Sequence, residues 1–252
     1  MEPVTSKSSP ALAPVANGVV SPLLTVIVPA CDEEATIVDV LRRVDALALR
    51  TEVLVVDDGS RDATAAVVES AAADGLPGVR LLRHGTNRGK GAAVRTGIAA
   101  SRGDIVIIQD ADLEYDPKDI PRVIGPIVEG HADAVFGTRL RGGQPQRALM
   151  FWHYAGNRLL SLLTNVLYNT TISDMEVGYK AFRGDLVRSL SLSSSDFRIE
   201  PELTAKVLRH GRVRLYEVPI SYYGRTYEEG KKITWRDGYR AAAALVRFRV
   251  RS

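Results

Sequence analysis

The sequence predicts an α/β domain: a mainly parallel sheet with helices on both faces. Three observations carry that reading. Five short runs up to residue 137 are dominated by apolar, often β-branched residues, as strands buried in a sheet require. Stretches with helical spacing separate them, which is the alternation of a parallel sheet. The residues that follow most of these runs are charged, which places chemistry at the carboxyl edge of a sheet, where open α/β folds bind their ligands. The 252 residues, 45% apolar and 25% charged, are enough for one large core and exclude a wholly disordered chain, a collagen and a coiled-coil rod.

The elements follow in order. Residues 23–29 (Leu-Leu-Thr-Val-Ile-Val-Pro) form a buried strand stopped by proline. Ile37, Val40, Leu41, Val44 and Leu47 give one face of a helix. Residues 52–57 are a second strand, 62–74 an Ala-rich helix, 79–83 a third strand and 89–101 a helix. Residues 104–109 are a fourth strand, 117–129 a helix with proline in its first turn, and 132–137 a fifth strand. The second half is less regular. Residues 149–167 form a helix whose stripe of Leu159, Leu160, Leu162, Leu163, Val166 and Leu167 packs on the sheet or rests on a membrane, with packing preferred; Trp152 and Tyr154 are placed in the core on the same grounds. Residues 200–210 form a helix, 213–219 a late strand, and a last helix begins near Thr234. No repeat and no domain boundary is visible, so residues 23–252 are read as one domain behind a flexible tail over 1–22.

Charge and targeting signals narrow the setting. The formal charge is +3, too small to imply nucleic acid. From Arg225 onward, eight Lys and Arg face three Asp and Glu, a local balance of +5. That basic end suits phosphates or anionic lipid, or is a solvated helix face. Residues 1–21 lack the pattern of a signal peptide, and no run of about 18 apolar residues occurs. The single cysteine, Cys31, offers neither a disulfide nor a cysteine zinc site. These features predict a cytoplasmic location, or a peripheral one on the cytoplasmic membrane face.

Three motifs carry chemistry. Asp110-Ala111-Asp112 ends an apolar strand, and two carboxylates two residues apart can meet one Mg²⁺ or Mn²⁺ through oxygen, with Glu114 as a third candidate ligand. Such a metal keeps positions for a diphosphate. Asp57-Asp58-Gly59-Ser60 puts acids where a ribose hydroxyl or base N–H can be held, although Ser60 or Asp62 also suits a helix cap. Asn87-Arg88-Gly89-Lys90-Gly91 opens a helix with two cations and two glycines, a candidate anion site, but without P-loop spacing. The four histidines show no metal spacing.

Taken in order, Val-Pro-Ala-Cys-Asp-Glu-Glu, Val-Val-Asp-Asp-Gly-Ser-Arg-Asp, Asn-Arg-Gly-Lys-Gly and Asp-Ala-Asp resemble a family 2 glycosyltransferase of the GT-A fold. Residues 173–180 (Ser-Asp-Met-Glu-Val-Gly-Tyr-Lys), the run 197–206 and residues 223–233 resemble its dolichol-phosphate mannosyltransferase-like branch, which includes polyprenyl-phosphate glycosyltransferases. The likeness covers about residues 23 to 245. It implies a nucleotide-sugar donor of GDP-mannose or UDP-glucose type, a divalent metal, inversion at the anomeric carbon and a polyprenyl-phosphate acceptor. Carried over by position, Pro29, Ala30, Glu33, Asp57 and Asp58 line the base and ribose, and Lys90, Asp110 and Ala111 complete the donor-binding set. Asp110, Asp112 and Glu114 hold the metal. Arg225 and Lys232 close over the diphosphate, and Arg139 and Arg147 grip the acceptor phosphate. Cys31 stands where an aromatic residue is frequent, and Glu114 where glutamine is.

A phosphate acceptor needs no strong base. A sugar hydroxyl does, and Asp174 or Glu176 would supply it, unless both belong to a structural loop. The helix around Leu159–Leu167 and the basic C-terminus are the expected membrane contacts, alone or beside a separate membrane partner. The rival readings are a sister enzyme with a soluble acceptor, a sugar-1-phosphate nucleotidyltransferase, which lacks its glycine-rich first loop here, and a non-enzymatic nucleotide-binding module. A nucleic-acid partner is not expected, since aromatic residues are only 6% and offer no stacking platform.

Overall fold

The computed structural model describes residues 21–148, 151–224 and 235–250. The tail up to residue 20, and the segment carrying Arg225 and Lys232, lie outside these residues.

Seven strands form one sheet: β1 (Leu24–Ala30), β2 (Thr51–Asp57), β3 (Val79–Arg83), β4 (Ile105–Ile108), β5 (Ala134–Thr138), β6 (Lys180–Arg183) and β7 (Leu215–Pro219). Their order is β3-β2-β1-β4-β6-β5-β7. β6 alone runs against its neighbours, antiparallel to both β4 and β5. The eight helices are α1 (Ile37–Asp45), α2 (Thr64–Ala73), α3 (Lys90–Ala100), α4 (Ile120–Val128, after a 3₁₀ turn at Pro117–Asp119), α5 (Phe151–Tyr168), α6 (Gly184–Ser189), α7 (Ile199–Arg209) and α8 (Trp235–Val250).

Strands β1, β2, β4 and β5 form where the apolar runs predict them, because a strand covered on both faces tolerates no polar side, while β3 lies at the sheet edge with both arginines exposed. Val26, Ile27, Val28, Val55, Ile105 and Ile107 are fully buried. The α1 stripe Ile37, Val40, Leu41 and Val44 is fully buried against them. Register then sets the site. Ala30 pairs with Asp57 and Ile27 with Ile108, so the loops after β1, β2 and β4 emerge side by side.

The structure departs from the sequence reading in three places. β6 and α6 were not predicted: residues 180–183 carry two cations in four positions, which reads as surface, yet all four are buried. Lys180 is satisfied by Glu200 and by the carbonyls of Met175 and Val177, and Arg183 by Asp133 and Asp185. The apolar stripe of α5 does not pack on the sheet as a unit. Leu160, Leu163 and Leu167 pack with Ile172, Met175 and Leu245, while Leu159, Leu162 and Val166 are exposed. Six apolar residues within nine positions span more of a helix than one packing face can cover. Trp152 and Tyr154, expected in the core, are exposed too.

Candidate active site

The carboxyl edge of the sheet gathers the residues singled out in the sequence. After β4, Asp110-Ala111-Asp112 turns away through Leu113, which has a left-handed backbone (φ 60°). The turn is held by Thr36, whose hydroxyl donates to the Ala111 carbonyl at 2.8 Å, and by Asp112 Oδ1, which accepts from the Glu114 amide at 3.1 Å. Behind it runs a line of alternating charges. Lys90 Nζ lies 2.7 Å from Asp110 Oδ1 and 3.3 Å from Glu200 Oε1, and Glu200 Oε2 lies 2.5 Å from Lys180 Nζ. Burial works against the charge on Lys90, but the Asp110 and Glu200 carboxylates outweigh it and raise its pKa. Burial likewise opposes the charge on Glu200, and the two lysines hold its pKa below the ordinary value. Gly178 seals this cluster, since a Cβ there would sit 2.6 Å from Asp110 Oδ2.

The Asp57-Asp58 loop is pinned from within. Asp58 is buried and accepts from the Arg88 amide (3.0 Å) and the Gly89 amide (2.7 Å), with His84 Nδ1 2.6 Å away. Gly59 has φ +71°, and any Cβ would meet Asn87 N at 2.6 Å. Asp57 accepts from the Ser60 amide and hydroxyl. Sequence reasoning gave His84 no role; it bonds Asp58 and, through Nε2, Thr96 Oγ1 at 2.9 Å. The amides leading into α3 are partly committed. Asp58 takes the amides of Arg88 and Gly89 just before the helix, the Ala92 amide donates to the Ser195 carbonyl, and Lys90 turns its ammonium to Asp110.

On the far side, Arg139 follows β5 and meets Asp174 in a two-pronged pair: Nε to Oδ2 and Nη2 to Oδ1, both 2.7 Å. Asp174 is fully buried. Burial would raise its pKa, but Arg139, with Asn157 bonding Oδ1 at 2.8 Å, holds it below the usual carboxylate range. Asp174 is thus a weak base that positions an arginine. Arg139 Nη1 also donates to Tyr115 Oη (3.3 Å), which accepts from the Gly178 amide (3.2 Å). Arg147 is anchored by its amide on the Tyr222 carbonyl and by Nη1 on the Gly224 carbonyl, at 2.8 and 2.9 Å. Arg139 and Arg147 line an open pocket of about 350 Å³ with Leu140, Phe151 and Tyr154. It pairs guanidinium groups with an apolar wall.

Glu176 differs from Asp174. Its Oε1 is buried with no hydrogen-bond partner among the described residues, and burial pushes its pKa up to about 7. Glu114 faces Tyr222, whose hydroxyl donates to Oε2 at 2.9 Å. Among the described residues no three His, Cys, Asp or Glu side chains are clustered to hold a metal. Two aspartates on one turn still fit a hard cation that takes its other ligands from phosphate and water.

Sequence comparison decides the family. The profile of Glycosyl transferase family 2 matches residues 25–190. The chain belongs to glycosyltransferase family 2. The family 2 match spans the strands and loops that build the acidic edge. Undecaprenyl-phosphate 4-deoxy-4-formamido-L-arabinose transferase of Pseudomonas aeruginosa is 30% identical over 214 residues, 83% of this chain and 60% of that protein, so the chain spans less than two thirds of that relative. An uncharacterised protein of Methanocaldococcus jannaschii is 27% identical over 88% of this chain and 90% of its own length. Among solved structures, glucosyl-3-phosphoglycerate synthase from Mycobacterium tuberculosis, in complex with Mn²⁺, UDP and phosphoglyceric acid, superposes with a TM-score of 0.69 at 23% identity, covering 90% of this chain and 78% of that one. The fold is that of the GT-A glycosyltransferases. Sequence reasoning missed Tyr115, Lys180 and Glu200 as members of the cluster; the last two lie in segments that carried the family resemblance, but their contacts are tertiary.

Proposed function

We propose that this family 2 chain transfers a hexose from a nucleotide-sugar, of GDP-mannose or UDP-glucose type, to a polyprenyl phosphate with inversion. The observation that carries the reading is the bridge at Tyr115. One tyrosine hydroxyl joins Arg139, in the cationic and apolar pocket, to Gly178, which lies against Asp110. An anionic, lipid-tailed acceptor and a diphosphate donor would therefore meet across a single side chain.

In this reading Pro29, Ala30, Glu33 and Asp57 line the base and ribose, and Asp58 acts through the loop it pins. Asp110 and Asp112 would hold Mg²⁺ or Mn²⁺, which would supply charge neutralisation to the diphosphate, whereas Glu114, expected as a third ligand, is bonded by the Tyr222 hydroxyl and does not cluster with them. Lys90 would neutralise the same developing charge, a role that the resemblance also gives to Arg225 and Lys232, which lie outside the described residues. An acceptor phosphate oxygen, held by Arg139 and Arg147 through charge-assisted hydrogen bonds, attacks the anomeric carbon from the face opposite the diphosphate. The new oxygen–carbon bond forms as the bond to the diphosphate breaks, and the nucleoside diphosphate leaves with that electron pair. The attacking oxygen is already anionic, so no proton has to move.

The test is transfer from a panel of nucleotide-sugars with Mn²⁺ or Mg²⁺, with and without a short polyprenyl phosphate. Chelator and Asp112→Asn controls run beside it. Metal-dependent transfer to the lipid phosphate is expected. Turnover that the lipid does not enhance would overturn the acceptor, and no turnover of any nucleotide-sugar would overturn the activity.

Glu176 favours a second reading, a hydroxyl-bearing acceptor. A buried carboxyl with a pKa of about 7 is matched to proton abstraction at neutral pH. Turnover of soluble acceptors that is lost in Glu176→Gln would establish it.

A further inference from the structure

We propose that Glu114 is a positioning residue: through Tyr222 it fixes the two arginines of the Arg139–Arg147 pocket, and it is not a ligand of the metal. Its place in the sequence, two residues beyond Asp112, suggests the opposite, because residues two apart in an extended chain share a side. Leu113 stands between them with φ 60°, so that alternation breaks in this turn. The Glu114 carboxylate instead accepts from the Tyr222 hydroxyl at 2.9 Å, and the Glu114 carbonyl accepts from the Tyr223 amide at 2.9 Å. Side chain and backbone of one residue thus hold two consecutive residues of the segment that follows β7. Among the described residues no cluster of three acidic side chains forms, so Glu114 does not stand with Asp110 and Asp112.

Both arginines of the pocket rest on Tyr222, which is 2% exposed. The Arg139 guanidinium carbon sits 5.0 Å from the centre of its ring, a cation–π contact. The same ring lies 5.5 Å from that of Tyr115, whose hydroxyl accepts from Arg139 Nη1. The Tyr222 backbone serves Arg147. Its carbonyl accepts from the Arg147 amide at 2.8 Å, and its amide donates to the Pro145 carbonyl at 3.1 Å. Gly224 completes the arrangement. Its carbonyl accepts from Arg147 Nη1 at 2.9 Å, and a Cβ on it would sit 2.5 Å from the Tyr222 ring. A shift of the ring would therefore disturb Arg139 directly and Arg147 through Gly224.

The chemistry of the pocket gives this placement its use. Arginine recognises a phosphate through a fixed fork of N–H groups, so two guanidinium groups act together only at a set spacing and tilt. Arg139 is held on its other side by Asp174. Arg147 comes from a loop: residues 139–148 form no helix and one isolated bridge, Gln146 to Tyr222. The Arg147 end of the pocket is thus tied to Tyr222, and Tyr222 to Glu114. That the pocket takes an acceptor phosphate rests on the proposed function; the placement of its arginines by Glu114 does not.

The test separates the two sides of the turn. Mn²⁺ titration followed by electron paramagnetic resonance, with UDP or GDP present, compares Glu114→Ala with Asp112→Asn. Glu114→Ala is expected to stay within about twofold of the wild type, and Asp112→Asn to bind about tenfold more weakly or worse. Hydrogen exchange of the ligand-free protein is expected to be about tenfold faster at the Arg147 and Tyr222 amides in Glu114→Ala, the equivalent of one lost hydrogen bond, and unchanged in β1. In transfer, KM for a water-soluble short polyprenyl phosphate should rise about tenfold in both Glu114→Ala and Tyr222→Phe with kcat little changed, the mark of lost binding. Glu114→Gln, whose amide oxygen accepts the same bond, should recover most of it. Mn²⁺ affinity that falls in Glu114→Ala as far as in Asp112→Asn makes Glu114 a metal ligand and overturns the proposal. So does unchanged exchange at Arg147, or an acceptor KM that neither variant moves. A wild type that ignores the lipid phosphate, with Mn²⁺ binding and exchange as expected, removes the acceptor reading alone.

Discussion

Lys90 Nζ and Asp110 Oδ1 lie 2.7 Å apart where the first turn of α3 meets the end of β4. The pair joins two motifs that are separate in sequence, and Glu200 closes it from behind. Lys90 thus orients the first aspartate of Asp-Ala-Asp and supplies a cation at the donor edge. Lys90→Met is expected to lower kcat/KM for the nucleotide-sugar by about 10- to 100-fold, the usual cost of losing a residue that orients a ligand-binding carboxylate. Lys90→Arg should recover part of it. Steady-state kinetics, with calorimetric binding of the nucleoside diphosphate, reads both.

The Arg139–Asp174 pair should be worth far more to stability than a surface ion pair, because removing one partner strands a buried charge. Asp174→Ala is expected to cost about 3–5 kcal/mol in urea unfolding. The sign of the pH effect follows from the lowered pKa of Asp174. The stabilisation is present above the ordinary aspartate value of 3.8 and is lost as pH falls through the lower folded value. Acid unfolding of the variant should therefore show a shallower loss in that window.

Glu176 works in the opposite direction. Burial lifts its folded pKa from 4.5 to about 7, so the folded state holds a proton that the unfolded chain has released. Its contribution is favourable below pH 4.5 and is lost as pH rises towards 7. Thermal midpoints between pH 5 and pH 8 should fall less in Glu176→Gln than in the wild type. An identical slope would show that Glu176 titrates normally.

Asp58 is expected to act on backbone order. Its carboxylate holds two consecutive amides and His84, so Asp58→Ala removes three bonds and leaves the amides of Arg88 and Gly89 without acceptors. Hydrogen exchange at Arg88 and Gly89 should accelerate well before exchange at the core strands β1 and β4. Donor affinity should fall in parallel.

How far the fold and site were legible depends on the range of the interactions. Strands β1 to β5 and helices α1 to α4 are local: continuous apolar runs and helical stripes specify them, and the acidic strand ends mark the site. β6 was hidden because Lys180 and Arg183 are made buriable by Glu200, Asp133 and Asp185, two of them 20 and 50 residues distant. Arg139 was read as a phosphate clamp, and Asp174 as one of two candidate bases or a residue of a structural loop. That the two pair, across 35 positions, could not be read from either motif. The outward face of α5 was also illegible, since periodicity locates a stripe without saying which neighbour covers it.

The reversed strand has a consequence for synthesis. β6 lies between β4 and β5 in space but follows both in the chain. A nascent polypeptide that ends before Lys180 therefore exposes facing edges of β4 and β5 with the intervening strand still in the ribosome. The sheet closes only when residues 180–183 arrive, and their arrival also brings Lys180 to the place where Glu200 will meet it. Assembly of the acidic edge thus waits for segments made after β5, first Lys180 and then Glu200, with β7 joining β5 later still, and translation products truncated between β5 and β6 should be protease-sensitive along the β4 edge.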